Sequence, residues 1–213
     1  MKTRTLPLAI SAVSLILSVQ AKASLVYDNG PIGASDYSAA FIDSVSAGGP
    51  YAVSDSFTVS SATSLSSAQA GLWVDAGATP VSLDWSVGTT PFASDISSGT
   101  ASLNDTFVRN NGFDIYESAF AVNGTLGIGT YYFTLQNGVA SDSGSVSWDN
   151  NNGPSTAYQS SSAGSGQLAD GTSESFQLYG VAVPEPTTTT IFAGFAALGM
   201  LLATSRRKFS MAG

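Results

Sequence analysis

Residues 82–87 read SLDWSV, a run in which polar and apolar residues alternate without a break. In an extended strand, this period of two puts Leu83, Trp85 and Val87 on one face and the polar residues on the other. The same alternation recurs at residues 55–59. No segment between residues 24 and 183 carries a sustained 3.6-residue period, so this region is predicted to form strands and no long helix.

Turn-forming sequences separate these runs, and they combine Asn, Asp or Gly with Pro or Gly. They lie at residues 28–31, 48–50, 110–112, 123–124, 137–138 and 152–154. Asn and Gly tolerate positive φ, and Pro interrupts strand pairing, so each site favours a tight reversal of the chain. Eight or more short strands with such breaks predict an all-β fold, a single antiparallel β-sandwich (jelly-roll-like) over residues 24–183.

The predicted domain is strongly acidic, because most basic residues of the chain lie outside it. Within residues 24–183, Arg109 is the one basic residue against fourteen acidic residues, a formal charge of −13. Such a surface repels phosphate backbones, so we expect no nucleic-acid partner. The charge either favours solubility outside the cell or attracts cations such as Ca²⁺.

The absence of two residue types restricts the chemistry, since the chain contains no His and no Cys. Ser-His-Asp and Cys-His nucleophile systems are therefore impossible. Paired carboxylates are the remaining catalytic equipment, and a glycosidase requires two of them across a cleft. Glu117 and Glu174 are both predicted to face solvent from strands. No motif places a named acid beside a named base, so we expect no enzyme and no required cofactor.

The N-terminus has the layout of a signal peptide, predicted over residues 1–23. Lys2 and Arg4 supply a positive start, and residues 6–19 are uncharged and largely apolar. Ala21 and Ala23 form an A-x-A cleavage site, and cleavage would follow Ala23. A retained signal anchor is the alternative, but the apolar run is short for a membrane span.

The C-terminal segment, residues 184–213, carries three features in a fixed order. These are Pro184-Glu185-Pro186, an uncharged stretch at residues 187–205, and the basic cluster Arg206, Arg207 and Lys208. Nineteen residues in a helix extend roughly 28 Å, about the hydrocarbon thickness of a bilayer. The sequence therefore predicts a transmembrane helix over 187–205, with the basic cluster acting as a cytoplasmic stop-transfer signal.

This order of features resembles the PEP-CTERM sorting signal of Gram-negative bacteria. The resemblance implies processing by an exosortase, a membrane cysteine protease acting near Pro184-Glu185-Pro186. It also implies that the protein is anchored in the inner membrane and then delivered to the cell surface or the exopolysaccharide matrix. The alternative is an ordinary single-span anchor. The match covers about 30 residues and gives an address, not an activity.

The domain itself resembles exported bacterial domains named choice-of-anchor domains. The motifs that carry this resemblance lie at residues 27–30, 56–59, 71–74, 129–135, 148–154 and 175–180. The resemblance implies a surface location and a β-rich fold, and it implies no catalytic residue.

Residues 148–154, which read WDNNNGP, are the densest polar cluster of the domain. As a tight loop, this segment would offer hard oxygen ligands for Ca²⁺ from Asp149, Asn150, Asn151 and Asn152. The spacing departs from that of known calcium loops. A plain turn, in which Asn tolerates positive φ, is the alternative and is favoured.

Tryptophan residues are the candidates for stacking against sugar rings. Trp148 adjoins the polar cluster, and Trp73 is out of phase with Leu72 and Val74, so both are candidates for glycan contact. Trp85 shares a face with Leu83 and is predicted to lie in the core. Burial in the sandwich core is the alternative for each of the three.

These observations lead to one hypothesis and two alternatives. We expect a non-catalytic exported protein of the cell surface or extracellular matrix, sorted by an exosortase and associated with exopolysaccharide. A carbohydrate-binding module, with Ca²⁺ as an optional ligand, is the first alternative. A glycan-active enzyme with paired carboxylates is the second. The expected partners are the exosortase, the membrane before processing, and exopolysaccharide.

Overall fold

The structure is a computed structural model that describes residues 22–32, 38–168 and 172–183. Over these ranges it is all-β, with fourteen strands in two antiparallel sheets and no helix. The expectation of a sandwich-like all-β fold is therefore confirmed.

The first sheet, sheet A, has eight strands. They are β1 (Ser24–Asp28), β2 (Ala39–Phe41), β4 (Thr63–Asp75), β7 (Asn104–Asn110), β8 (Phe113–Leu126), β10 (Val146–Asn151), β13 (Ser173–Glu174) and β14 (Phe176–Ala182). The long strand β4 is the centre of the sheet. One of its edges pairs with β8 along nearly its whole length. Its other edge pairs first with β14 and then with β10, which in turn pairs with β2 and β13.

The second sheet, sheet B, has six strands in the order β12-β11-β3-β9-β5-β6. They are β3 (Ala52–Val59), β5 (Pro80–Gly88), β6 (Ser97–Ser102), β9 (Gly129–Ala140), β11 (Ala157–Ser161) and β12 (Gly164–Gln167). Strand β5 contains the SLDWSV run and pairs with both β9 and β6.

The core lies between the two sheets and follows the alternation of the sequence. Leu83 is 1% exposed in β5, whereas Asp84 points to the other face of sheet B. The centre of the core is a cluster of four rings, with centroids 5.6 to 6.4 Å apart between contacting pairs. The rings belong to Phe57, Phe133, Trp148 and Phe176. Burying such a side chain stabilises a fold by roughly 1.5–3 kcal/mol.

Several predicted targeting features lie outside the described residues. They are Ala21, Pro184, Glu185, Pro186, the span 187–205, Arg206, Arg207 and Lys208. Ala23 is exposed, and β1 begins directly after it. Within the described ranges, no helix is long and apolar enough to cross a membrane.

Candidate functional site

An aromatic groove lies on the outer face of sheet A. The register places Phe41 of β2 opposite Ser147 of β10, and Ser147 opposite Trp73 of β4. Residues that face each other across neighbouring strands point to the same side of a sheet, so these three form one row. Leu72 and Val74, on either side of Trp73, belong to the core. The row therefore points away from the core.

Two exposed phenylalanines and one nearly covered tryptophan give the groove its apolar wall. Phe41 is 41% exposed and Phe113 is 45% exposed, whereas Trp73 is 7% exposed. The rings of Trp73 and Phe113 lie 5.9 Å apart. Asp75, Ser145 and Ser147 add polar atoms to the lining, and the groove has a volume of about 340 Å³. The result is a surface that combines apolar ring faces with hydroxyl and carboxylate groups.

Hydrogen bonds through Asp149 fix the orientation of Trp73. Its Nε1 donates to Oδ1 of Asp149 at 2.7 Å, and Oδ2 of the same carboxylate accepts from Ser175 Oγ at 2.8 Å. Asp149 is fully buried. At Gly71 of β4, an added Cβ would lie 2.5 Å from Ser175 Oγ, so glycine lets β4 approach the segment that contains Ser175. Trp73 is thereby held in one orientation, which favours a preformed wall.

The structure corrects the expected loop at residues 148–154. Strand β10 continues through Asn151, so Asp149, Asn150 and Asn151 form neither a calcium loop nor a plain turn. Each has its own partner: Asn150 Nδ2 donates to Ser38 Oγ at 2.8 Å, and Asn151 Nδ2 donates to the Asn29 carbonyl at 2.5 Å. Side chains alternate along a strand, which separates neighbouring ligands.

Asn152 follows the strand and is exposed. Among the described residues, no group of three or more acidic side chains is placed to hold a metal ion. The arrangement of the four residues therefore gives no support to a Ca²⁺ site.

Trp148 does not present a ring to a ligand. It is 0% exposed, packs against Phe133 and Phe176, and donates from Nε1 to the Ser175 carbonyl at 2.9 Å. The glycan-stacking prediction is therefore wrong for Trp148, because strand β10 turns it into the core. Trp73, the other predicted residue, is a wall of the groove.

The two glutamates occupy different environments. Glu117 is partly buried and accepts a hydrogen bond from Gln69 Nε2 at 2.9 Å. The sequence predicts that Glu174 faces solvent, but it is fully buried, and neither of its carboxylate oxygens has a hydrogen-bond partner. Burial, together with the negative charges of Asp55 and Asp149, raises the pKa of Glu174 well above its usual value. The two glutamates therefore do not form a carboxylate pair on an open surface.

A second, more polar groove of about 310 Å³ lies on the outer face of sheet B. It is lined by Asp84, Trp85, Ser86, Phe92, Ser94, Ser98, Gly99, Thr100 and Gln136. Asp84 accepts hydrogen bonds from Thr100 Oγ1 at 2.5 Å and from Asn137 Nδ2 at 2.7 Å. Because these protein groups already engage the carboxylate, this groove offers a weaker case for a ligand than the aromatic groove.

No protein-family model matches the chain, and no curated protein sequence matches it. The two family resemblances in the sequence therefore remain predictions.

Proposed function

We propose that this chain is a non-catalytic exported protein of the bacterial cell surface or extracellular matrix, and that it associates with exopolysaccharide. In this proposal, a jelly-roll-like sandwich follows a signal peptide at residues 1–23 and precedes a transmembrane helix at residues 187–205. An exosortase recognises Pro184-Glu185-Pro186 and releases the domain. The aromatic groove is the observation that carries the association with polysaccharide.

The chemistry of the groove suits a sugar ring. The C–H face of a pyranose packs against aromatic rings, here those of Phe41 and Phe113, which remain 41% and 45% exposed. Ser145, Ser147 and Asp75 line the same space and supply partners for hydroxyl groups. A volume of about 340 Å³ is within the range of small-molecule sites.

The charge of the domain narrows the class of polysaccharide. A formal charge of −13 over residues 24–183 repels uronic acids and sulfated sugars. We therefore expect a neutral glycan as the ligand. This is the narrower form of the proposal, in which the domain acts as a carbohydrate-binding module.

A non-catalytic role is supported by the lining of the groove. Asp75 is the one carboxylate among the described residues that line it. A glycosidase places an acid and a second carboxylate on opposite sides of the scissile bond, and one carboxylate does not meet that requirement.

A glycan array of neutral and acidic polysaccharides, probed with the full chain, tests the proposal. Phe113→Ala and Phe41→Ala should each lower the affinity for a bound neutral glycan by roughly 5- to 30-fold, since a lost aromatic contact of this kind contributes about 1–2 kcal/mol. Phe107→Ala is the matched control, because Phe107 is 54% exposed on β7 and lies outside the groove. Equal loss in all three variants, or no glycan bound, would count against the groove.

A further inference from the structure

The side-chain amide of Asn29 is enclosed by more acceptors than it can serve. Asn29 is 0% exposed, and its Nδ2 lies 2.6 Å from Ser155 Oγ, 2.7 Å from Ser173 Oγ, 2.6 Å from the Glu174 carbonyl and 3.1 Å from Asp55 Oδ2. An amide nitrogen has two protons to donate. Donation alone therefore does not account for four oxygens. The arrangement also holds the partly buried Ser155 hydroxyl against the buried amide.

The carbonyl end of the same amide is polarised by a hydroxyl group. Tyr27 Oη donates to Asn29 Oδ1 at 2.9 Å. Burial, with the nearby charges of Asp55 and Asp28, raises the pKa of Tyr27 to about 12, so its hydroxyl keeps the proton that it donates. A fixed donor at this oxygen would stabilise the negative charge that develops when a nucleophile adds to the amide carbon.

One carboxylate oxygen of Asp55 contacts both the Ser155 hydroxyl and the Asn29 amide nitrogen. Asp55 Oδ2 accepts from Ser155 Oγ at 2.8 Å and lies 3.1 Å from Asn29 Nδ2. Burial raises the pKa of Asp55 to about 6, although hydrogen bonds from Glu174, Ser155 and neighbouring groups lower it. At neutral pH the carboxylate is therefore ionised and still basic, as a proton carrier must be.

Ser155 is better placed than the other nearby serine to act as the nucleophile. Ser173 Oγ lies 3.5 Å from Asp55 Oδ2, against 2.8 Å for Ser155 Oγ, and the two hydroxyl groups lie 2.5 Å apart. Gly153 brings the Ser155 loop close to Asn29, because a Cβ at that position would lie 2.5 Å from the Asn29 carbonyl oxygen.

We propose that Ser155 and Asn29 form an intramolecular ester cross-link. Asp55 takes the proton of Ser155 Oγ, and the oxygen adds to Cγ of Asn29 while Tyr27 donates to the resulting oxyanion. The Cγ–Nδ2 bond then breaks, the nitrogen receives the proton from Asp55, and ammonia leaves. The fold holds the Ser155 hydroxyl and the Asn29 amide together, which accelerates the reaction, since well-oriented intramolecular reactions reach effective concentrations of ~10⁵–10⁸ M.

The cross-link would join the two sheets at one end of the sandwich. Asn29 directly follows β1 of sheet A, and Ser155 lies two residues before β11 of sheet B. The chain has no cysteine, so a disulfide is not available for this purpose. The proposal depends on neither the glycan ligand nor the sorting of the protein.

Trypsin gives a direct test on the full chain, because Arg109 lies between the two partners. Complete digestion of the denatured protein cuts after every Lys and Arg, including Lys22, Arg109 and Arg206, so Asn29 and Ser155 fall on the separate fragments 23–109 and 110–206. We expect one species whose mass is the sum of both fragments less one ammonia. Brief mild alkaline hydrolysis, which cleaves esters and leaves peptide bonds intact, should separate it into two. Two unlinked fragments of sequence mass would overturn the proposal.

Two matched variants and one competing reaction complete the test. Ser155→Ala should release the fragments, whereas Ser173→Ala should leave them joined, and the reverse result would overturn the assignment of Ser155.

Attack by the Gly30 amide on Asn29 would form a succinimide and also release ammonia. In that case fragment 23–109 alone is lighter and the fragments separate, which also overturns the proposal. Digestion of the wild-type chain decides the question even if a variant does not fold.

Discussion

The buried carboxylate of Asp55 should make the stability of the domain fall as pH rises. Burial raises its pKa from 3.8 to about 6 in the folded state. Between these two values, the folded state binds more protons than the unfolded state, so the free energy of unfolding decreases with increasing pH. This rise in pKa corresponds to a contribution of roughly 3 kcal/mol to the free energy of unfolding, which is lost between about pH 4 and pH 7.

Other carboxylates also make the free energy of unfolding depend on pH, and whether it rises or falls with pH depends on the surroundings of each carboxylate. The pKa of Glu174 is also raised, mainly by burial, so its contribution has the same direction as that of Asp55 and extends to higher pH. Hydrogen bonds from Thr89 lower the pKa of Asp95, and one from Asn110 lowers that of Asp114. Asp95 is exposed and Asp114 is partly exposed, and their stabilising contributions increase as pH rises. The decisive quantity is therefore the difference between the wild-type chain and a variant of Asp55.

Urea unfolding of residues 24–183, which contain the fourteen strands that the structure describes, measures this difference. Asp55→Asn removes the titrating group, so the wild-type protein should lose about 3 kcal/mol more than the variant between about pH 4 and pH 8. Asp95→Asn is the control and should leave the wild-type decline in place. If the free energy of unfolding changes with pH in parallel for the wild-type protein and Asp55→Asn, the reasoning is refuted, whatever the constant difference between the two.

Three further predictions concern separate regions. Glu174→Met should raise the free energy of unfolding at neutral pH by about 1–3 kcal/mol in urea titrations, because it removes buried oxygens without partners. Trp148→Ala should lower it by about 3–5 kcal/mol, whereas Phe41→Ala should change it by about 0.5 kcal/mol or less. Replacing residues 184–186 with Ala should leave membrane insertion intact but block release in a host with the exosortase. Mass spectrometry of the surface protein checks this. Peptides from residues 191–206 in the mature wild-type protein would contradict removal of the tail by an exosortase.

The strands could be predicted because their signal is local. The alternation at 82–87 lies within β5, and that at 55–59 lies within β3. In each case, neighbouring residues alone decide which face is buried, and no knowledge of the partner strand is required.

The aromatic groove could not be predicted, because it depends on which strands become neighbours. Phe41, Ser147 and Trp73 share a row only through the register of β2, β10 and β4. Asn, Asp and Gly around Trp148 indicated a turn, but β10 pairs with β4, β2 and β13, so the segment is extended and the indole lies in the core. The burial of Glu174 also depends on tertiary packing, because alternation in a two-residue strand does not reveal what covers the side chain.

The position of the last strand has a mechanical consequence. Strand β14 is an interior strand, paired with β1 on one edge and along its full length with β4 on the other. A load applied to the chain beyond Val183 and directed along β14 would have to shear two hydrogen-bond ladders at once. An edge strand pulled across its length would instead unzip one bond at a time. A pulling force transmitted through the C-terminal segment would therefore be opposed by the β1 and β4 ladders together.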